Sequence, residues 1–378
     1  MNASLNEKLR AVKWGEFRLG DLFTKRTIKG VPKNKENLTP NKNGFHMFGQ
    51  NIKYQYPQRI LLDKKYLQSV DYQHPILGYT SSVGEIGIIK EPFYRSGDNG
   101  AFQGLFSKEH QFTLKELYFV LPILQKEFDK FGYDTSMANT INLQFSLPIT
   151  SPGKIDFDFM ESFIAELEAE RVAELSAYLT VSGLDNYELS SEEMEIIERF
   201  KKQQIPFSEF EFIKIFNNIK QGRRLKKDDQ TPGNIPFVMS GTTNTGVIGN
   251  ISNPVARFPK NSITIDIFGN SFYRNYDFGA GDDTGVYWNT EKEYSKTCML
   301  FFAAAMGRAL RGKYSYGKKL RSSQSVHFKM QLPTKDGKPD YDTMAILISA
   351  VQKLVIKDVV LYADRKIEKT KEIVKSEE

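Results

Sequence analysis

The sequence predicts an α+β chain of two similar α/β units separated by two long helices. The helices are expected to pair as an antiparallel coiled coil, and the chain has a pseudo-twofold internal repeat. Three observations predict this fold class: short patterns recur in one order in both halves, two stretches carry helical periodicity, and each follows a β-rich block. With 378 residues, 40% hydrophobic and 26% charged, the chain has the size and composition of two or three globular domains.

Four short patterns occur twice and in the same order. The matched segments are 14–23 with 207–216, 97–102 with 281–288, 147–148 with 332–333, and 153–157 with 337–341. The second pair follows an aromatic-rich strand, predicted at 93–95 in one half and at 272–274 in the other. The offset drifts slowly from 193 to 184 along the chain, which indicates a duplicated unit.

Helical periodicity marks the end of each unit. From Asp156 to Gly183, apolar residues recur every three to five positions, between a residue that favours a helix start and one that favours a helix end. A second stretch, from Asp340 to the C-terminus, has the same apolar stripe and contains neither Gly nor Pro. The other expected helices lie near 114–131, 191–204 and 295–310.

The remaining text consists of short β-rich runs separated by Gly, Asn and Pro. The predicted division is a first unit at 1–150, a central helical spacer at 151–204, a second unit at 205–336 and a C-terminal spacer helix at 337–378. Basic residues exceed acidic ones by 4 in 14–150 and by 9 in 205–335, whereas acidic residues exceed basic ones by 8 in 151–204. Two basic blocks beside an acidic spacer favour a polyanionic partner for the units.

The sequence contains no evident catalytic constellation. The glycine-rich segment 277–281 has no downstream Pro-Pro motif of the kind methyltransferases carry, and the segment 307–314 has Tyr314 where a phosphate-binding loop needs Ser or Thr. The four His residues show no paired ligand spacing, which argues against a metal site. The single cysteine, Cys298, the absence of a signal-peptide pattern and the lack of a membrane-spanning apolar run predict a cytoplasmic protein.

The second unit carries an ordered set of motifs. They are the opening at 207–216, a Gly-Arg-Arg step at 222–224, a Gly-Asn-Ile-Pro step at 233–236, and the segments 241–251 and 263–270. This set resembles a target recognition domain of the specificity (S) subunits of type I restriction–modification enzymes. The first unit is a looser match, because its loop at 29–32 lacks the Gly-Asn-Ile-Pro step. As an ordered, duplicated set, the motifs extend the resemblance over almost the whole chain.

The resemblance implies a division of labour. Each target recognition domain would read one half of a bipartite, asymmetric double-stranded DNA target, while the helices set the gap and carry two methyltransferase (M) subunits. The S subunit would be non-catalytic and bind no cofactor itself. Its M partners would methylate adenine with S-adenosylmethionine, and restriction (R) subunits would use ATP with Mg. Helices of about 40 Å span roughly one turn of DNA, which predicts a gap of about 5–8 unread base pairs.

Polar and basic residues in Gly-rich loops are the expected DNA contacts. The candidates in the first unit are Gln50, Asn51, Lys53, Thr80, Ser81 and Ser82. Those in the second unit are Thr242, Thr243, Asn244, Arg274, Lys313, Tyr314, Lys318, Lys319, Arg321 and Ser322. Arg favours guanine and Asn or Gln favours adenine, whereas Lys more often contacts phosphate.

Three alternatives remain open from the sequence. BcgI-like recognition subunits, whose partner fuses methylase and nuclease, are similar at 187–193 and in the opening of the second unit. A nuclease or modification enzyme would require acidic residues such as Asp282 and Asp283 to act in catalysis. A protein-binding scaffold would bind its partners with weak salt dependence, unlike a DNA-binding protein.

Overall fold

The computed structural model of the protein describes residues 3–32, 39–49, 52, 59–80, 85–97, 101–130, 137–151 and 153–377. The chain packs into two compact units: unit 1 comprises Met1–Leu175 with Lys366–Glu378, and unit 2 comprises Ser176–Arg365. Both units mix helices and strands, which confirms the α+β fold class with two repeats. The functional boundaries at 150, 204 and 336 stay predictions, because each compact unit also contains parts of the long helices.

Unit 1 has a four-stranded antiparallel sheet and two smaller strand pairs. Its elements are α1 (Ala3–Ala11), β1 (Lys13–Arg18), α2 (Leu19–Leu22), β2 (Phe23–Thr27), β3 (Pro40–Phe48), β4 (Ile76–Thr80), β5 (Ile86–Ile89), β6 (Phe93–Arg95), β7 (Phe102–Ser107), α3 (Leu114–Phe128), β8 (Gln144–Ile149) and the first part of α4 (Phe157–Val181). The sheet order is β2-β7-β4-β5, β1 pairs with β8, and β3 lies parallel to β6. Thr113 and Glu116 form a capping box that starts α3, whose apolar face contributes to the same buried core as β4 and β7.

Unit 2 repeats this plan with a larger second sheet. Its elements are α5 (Ser191–Lys201), β9 (Phe207–Glu211), α6 (Phe212–Ile215), β10 (Asn218–Gln221), β11 (Pro232–Val238), β12 (Val247–Ile251), β13 (Arg257–Phe258), β14 (Ser262–Asp266), β15 (Ser271–Arg274), β16 (Phe278–Ala280), β17 (Thr284–Trp288), α7 (Lys296–Leu310), β18 (Lys329–Lys335), β19 (Lys338–Pro339) and most of α8 (Tyr341–Glu377). The main sheet is β10-β17-β14-β15 and the second sheet is β12-β11-β16-β13. The apolar face of α7 contributes to one buried core with the main sheet.

The first strand of each unit pairs in the same register with the strand that carries the Leu-Pro motif. Gly15 on β1 lies opposite Leu147 on β8, and Ser208 on β9 lies opposite Leu332 on β18. These pairs have the offsets of 193 and 185 that the sequence repeat predicts. The opening and closing motifs of the duplicated unit are therefore confirmed.

One match inside the predicted repeat is wrong. The strand β6 runs parallel to β3, whereas its predicted counterpart at 272–274 lies in β15, which runs antiparallel to β14 at the edge of the main sheet. The structural counterpart of β6 is β16, which runs parallel to β11. Both segments contain a Phe-Tyr-Arg triplet, but the triplets lie on strands with different neighbours. Sequence similarity alone therefore aligned β6 with the wrong strand.

A close approach of two backbones recurs in both units at a glycine. A Cβ atom on Gly30 would lie 1.8 Å from the carbonyl oxygen of Arg95, and one on Gly222 would lie 2.4 Å from that of Ala280. The Arg223 N–H donates to the same Ala280 oxygen at 2.9 Å. Because only glycine leaves room for this contact, the loop that follows β10 is fixed against β16.

The predicted long helices are confirmed as α4 and α8. They contain 25 and 37 residues, which correspond to lengths of about 37 and 56 Å. Asp156 and Asp340 each cap the helix that follows, and Gly183 has a φ of 64° just past the end of α4. Within unit 1, Lys366 of α8 forms an ion pair with Glu168 of α4 at 3.4 Å.

Within unit 2, α8 runs antiparallel to α5. Leu347 packs in one cluster with Ile196, whereas Lys353, further along α8, contacts the earlier residue Glu193 at 2.9 Å. Burial by itself would raise the pKa of Glu193, but hydrogen bonds from Ser349, Lys353 and the Ser190 N–H outweigh it and lower the pKa to about 2. The N-terminal cap of α5 is thus also the ionic contact that holds α5 to α8.

We expect Gly222→Ala to destabilise unit 2, because its Cβ would overlap the Ala280 carbonyl oxygen. Forcing a methyl group into such a site costs about 1–3 kcal/mol. Thermal unfolding of the full chain, followed by circular dichroism, measures the effect. Gly317→Ala is the matched control, since a Cβ there meets nothing within 4 Å; equal melting temperatures for both variants would contradict the close approach.

The Glu193 contact predicts a specific loss of stability in acid. Its folded-state pKa of about 2 lies below its ordinary value of 4.5, so the stabilisation is complete above about pH 4.5 and is lost as the pH falls towards 2. The shift corresponds to roughly 3 kcal/mol. The free energy of unfolding, measured with urea between pH 7 and 2, should therefore depend less on pH in Glu193→Gln than in the unaltered chain. The exposed Glu195→Gln should behave like the unaltered chain.

Candidate nucleic-acid interface

One edge of the main sheet in unit 2 gathers several loops. The antiparallel register places Gln221 opposite Gly285, Asp266 opposite Thr284, and Ile265 opposite Ser271, so the ends of four strands meet there. The loops at this edge are the one after β10, the turn at 240–246, the turn between β14 and β15, the segment at 281–283 and the run at 313–323. Most predicted contacts of the second unit lie in these loops.

The buried carboxylate of Asp266 organises two of these turns. Only 4% of the residue is exposed, and it accepts five hydrogen bonds. The donors are the N–H groups of Phe268 and Asn270 at 2.9 Å, the Asn270 side chain at 2.8 Å, the Gly241 N–H at 3.1 Å and the Ser240 hydroxyl at 3.3 Å. The turn at 240–246 and the turn after β14 are therefore joined through one side chain.

The prediction that Arg274 faces DNA is wrong. Its side chain is among the largest fully buried ones, with 1% of the residue exposed. Its guanidinium donates to the Thr264 hydroxyl at 3.0 Å, to the Tyr276 hydroxyl at 3.2 Å, and to both the hydroxyl and the carbonyl oxygen of Thr245. All four acceptors are neutral, and burial lowers the pKa of Arg274 while Tyr276 opposes that effect. Arg274 therefore stabilises the turn at 240–246 from the protein interior.

The exposed candidates of that turn are Thr242, Thr243 and Asn244. The backbone is strained at the last of them and at the next residue, since Asn244 has a φ of 46° and Thr245 a φ of 52°. Such conformations cost about 1–3 kcal/mol each, and a β-branched residue adopts them rarely. The Arg274 hydrogen bonds to Thr245 act on the strained residue itself.

The run at 313–323 presents basic and aromatic side chains to solvent. Lys313, Lys318, Lys319 and Arg321 are exposed, and Tyr314 is half-buried. The Lys319 ammonium lies 4.6 Å from the ring centre of Tyr316, a residue that is 82% exposed. The structure thus brings these predicted residues together on one surface.

The base of this run is tied to the sheet by Gln221. The side-chain oxygen of Gln221 accepts from the Ser322 N–H at 2.8 Å, and its amide donates to the Asp282 carbonyl oxygen at 3.0 Å. Arg321 also donates to that carbonyl oxygen. Ser322 is buried, with 6% exposed, so its predicted contact with DNA is corrected to a structural position.

Sequence reasoning missed other side chains at this edge. Arg223 and Arg224 are exposed directly after the close approach at Gly222, and Phe268 is exposed at the tip of the turn held by Asp266. The Gly-Arg-Arg step was a usable signal, because a backbone fixed at glycine presents the next side chains outward. No sequence pattern predicts that Phe268 is exposed, because its exposure depends on the turn between β14 and β15.

The first unit is described less completely at the corresponding loops. The candidates Gln50, Asn51, Lys53, Ser81 and Ser82 lie outside the described residues. Thr80, the last residue of β4, is fully buried, so its predicted role as an exposed contact is wrong. Both faces of β4 are covered, because all five of its residues are buried. A polar residue on such a strand is therefore buried whichever face it lies on.

Asp283, one of the two acids of the enzyme alternative, makes structural hydrogen bonds. The Asp283 carboxylate accepts from the Ser240 N–H at 3.1 Å and from the Thr284 hydroxyl at 3.3 Å. Among the described residues, no group of three or more His, Cys, Asp or Glu side chains is placed to hold a metal ion. Likewise, no helix within those residues combines the length and apolarity needed to cross a membrane.

The chain is similar to known proteins over both units. The sequence profile of the type I restriction modification DNA specificity domain matches residues 11–177 and 208–359. The specificity subunit S.BcgI of a type II restriction enzyme from Heyndrickxia coagulans is 25% identical over 248 residues, which cover 64% of this chain and 67% of that protein. The S subunit of a type I restriction–modification system from M. genitalium has a similar fold, with a TM-score of 0.55 and 15% identity over 97% of this chain and 95% of that chain.

The exposed lysines of the 313–323 run predict a measurable salt dependence of binding to DNA. We expect the double variant Lys318→Ala, Lys319→Ala to weaken binding of the full chain to a 40-base-pair duplex of arbitrary sequence. The slope of log affinity against log salt should fall by about 1 for each phosphate contact removed. Fluorescence anisotropy at several salt concentrations gives this slope. Lys260→Ala, before the first residue of β14 and so at the opposite edge of the same sheet, is the control; a slope unchanged in the double variant would remove this run from the interface.

Proposed function

Because this chain belongs to the family of type I restriction modification DNA specificity domains, we propose that it is the sequence-recognition subunit of a type I restriction–modification complex. Each unit reads one half of a bipartite, asymmetric target in double-stranded DNA. The observation that carries the proposal is the duplication: two units of the same plan, each matched by the family profile, occur in one chain. Two copies of one reading fold suit a target of two separate halves.

Charge supports DNA as the partner of the units. Basic residues exceed acidic ones by 4 in 14–150 and by 9 in 205–335, whereas the segment 151–204 carries an acidic excess of 8. In unit 2, the exposed cations of the 313–323 run and Arg223 and Arg224 lie at the same edge of the main sheet as the turn at 240–246. Contacts from Lys and Arg to phosphate supply affinity, and polar side chains in the turns supply readout of base edges.

The helices are the proposed docking elements for partner subunits. Five large apolar residues on the part of α8 in unit 2 are exposed: Val351, Leu354, Val355, Val359 and Tyr362. An exposed apolar stripe of this kind is typical of a surface that a protein partner covers. We infer that two M subunits bind along the helices, and that R subunits join them in the restriction complex.

The chemistry of the complex is assigned to those partners. This chain supplies recognition and no catalytic group, and the M subunits hold S-adenosylmethionine while the R subunits use ATP with Mg. The complex acts in the cytoplasm, where it meets the host chromosome. A partner that fuses methylase and nuclease, as in BcgI-like systems, is the less favoured arrangement, since the family profile matched by both units is the type I domain.

The proposal predicts a change in the methylation of the host genome. Long-read sequencing should detect a bipartite adenine-methylation motif in cells that carry this gene and its partners, and the motif should disappear when the gene is deleted. A helical spacer of about one DNA turn predicts a gap of about 5–8 unread base pairs. Restoring the gene on a plasmid is the control.

Two results would contradict the proposal in different ways. An unchanged methylome in cells whose partner methyltransferase is demonstrably expressed would refute the recognition role. A motif that disappears but is contiguous would support recognition and refute two separated half-sites.

A further inference from the structure

We propose that Asp266 and Arg274 are positioning residues that hold the turn at 240–246 of unit 2 in one conformation, so that Thr242, Thr243 and Asn244 read bases of one half-site. The inference rests on the proposed function and goes beyond it by identifying a specificity-determining turn and the buried groups through which it acts. Both positioning residues are buried and act through the turn without contacting DNA themselves.

The two buried charges converge on the turn from opposite ends. Asp266 accepts from the Ser240 hydroxyl and the Gly241 N–H, where the turn begins. Arg274 donates to the hydroxyl and the carbonyl oxygen of Thr245, where the turn ends. The three residues between these anchors are exposed, and so is Thr245 itself.

Stability alone gives a poor account of these two residues. A buried ion has lost its hydration, and well-packed apolar side chains of similar size often stabilise a core equally well or better. Here a buried cation has four neutral acceptors and a buried carboxylate has backbone, hydroxyl and amide donors. Both buried charges form hydrogen bonds to the turn at 240–246. This shared target indicates that they fix the conformation of the turn.

The turn itself needs external support. Gly241, Asn244, Thr245 and Gly246 all have positive φ values. Asn tolerates this region better than Thr, so Thr245 is the most strained residue of the turn. The fork of the Arg274 guanidinium matches the two acceptors of Thr245, a geometry that the single ammonium of a lysine does not reproduce.

At the matching strand end, the described residues of unit 1 carry no carboxylate. Thr80 ends β4 opposite Phe102, as Asp266 ends β14 opposite Thr284, so a threonine stands in unit 1 where the organising carboxylate stands in unit 2. The buried Arg95 of unit 1 lies on β6, whereas Arg274 lies on β15. Disturbing the anchors of unit 2 should therefore affect one half-site, and the other half-site becomes an internal control.

The test uses the full chain with the DNA target mapped from the host methylome. Binding is measured for a duplex with the intact target and for duplexes with single-base changes in either half, and the ratio of affinities is the discrimination. The variants are Arg274→Lys, which keeps the charge and loses the fork, and Thr245→Gly, which relieves the strained φ and removes the hydroxyl acceptor. The control is Arg257→Lys, an exposed arginine on β13 in the second sheet.

We expect both variants to lower discrimination at one or more positions of one half-site by about tenfold, the scale of one base contact. Discrimination at the other half-site and the salt slope should be unchanged, because the phosphate contacts remain. Thr245→Gly should leave the melting temperature nearly unchanged, because relief of the strained φ offsets the lost hydroxyl acceptor, and the same guanidinium nitrogen still donates to the Tyr276 hydroxyl. A loss of discrimination without a loss of stability is the result that a purely structural role would not produce.

Two outcomes would overturn the inference. Unchanged discrimination in Thr245→Gly and Arg274→Lys would show that the turn reads no base. Equal weakening for intact and altered duplexes, together with a lower melting temperature, would reduce the Arg274 anchor to fold stability. The proposed function fails separately, namely when the unaltered chain itself discriminates at neither half-site.

Discussion

The pairing of the first strand of each unit with the strand that carries its Leu-Pro motif is the contact on which the architecture depends. β1 with β8 and β9 with β18 bring the two ends of a unit side by side, so that the following helix starts where the unit closes. The N–H groups of Asp156 and Asp340 then donate to carbonyl oxygens of Pro148 and Pro333, at 2.9 and 2.8 Å, and their carboxylates cap α4 and α8. Each recognition unit is thereby attached to the start of a long helix through a short, hydrogen-bonded corner.

Within each unit, a second constraint brings the loops to the edge of the sheet. Gly30 lets the loop after β2 contact the backbone of β6, and Gly222 lets the loop after β10 contact the backbone of β16. In unit 2 this contact fixes the loop that carries the exposed residues Arg223 and Arg224. A framework of strands and tight glycine contacts thus supports loops whose exposed residues can differ without loss of the fold.

The buried charges show how a fold can hold such loops rigidly. Asp266, Arg274 and Glu193 are each nearly fully buried and each satisfied by several partners. Glu193 joins α5 to α8, whereas Asp266 and Arg274 act on loops at the sheet edge. The same physical device, a desolvated ion surrounded by hydrogen-bond partners, therefore serves helix docking in one place and loop geometry in another.

The sequence by itself determined the duplication, the long helices with their capping residues, the basic character of the units and the family resemblance. These features are local or periodic, and such patterns can be read directly from the amino-acid sequence. The tertiary structure decided which polar residues are exposed: Thr80, Arg274 and Ser322 read as surface residues in the text but are buried, while Phe268 is presented to solvent. It also decided that β16, and not β15, is the counterpart of β6. The physical reason is that burial and strand pairing depend on neighbours distant in the chain, and a residue's own sequence context does not encode which neighbour covers it.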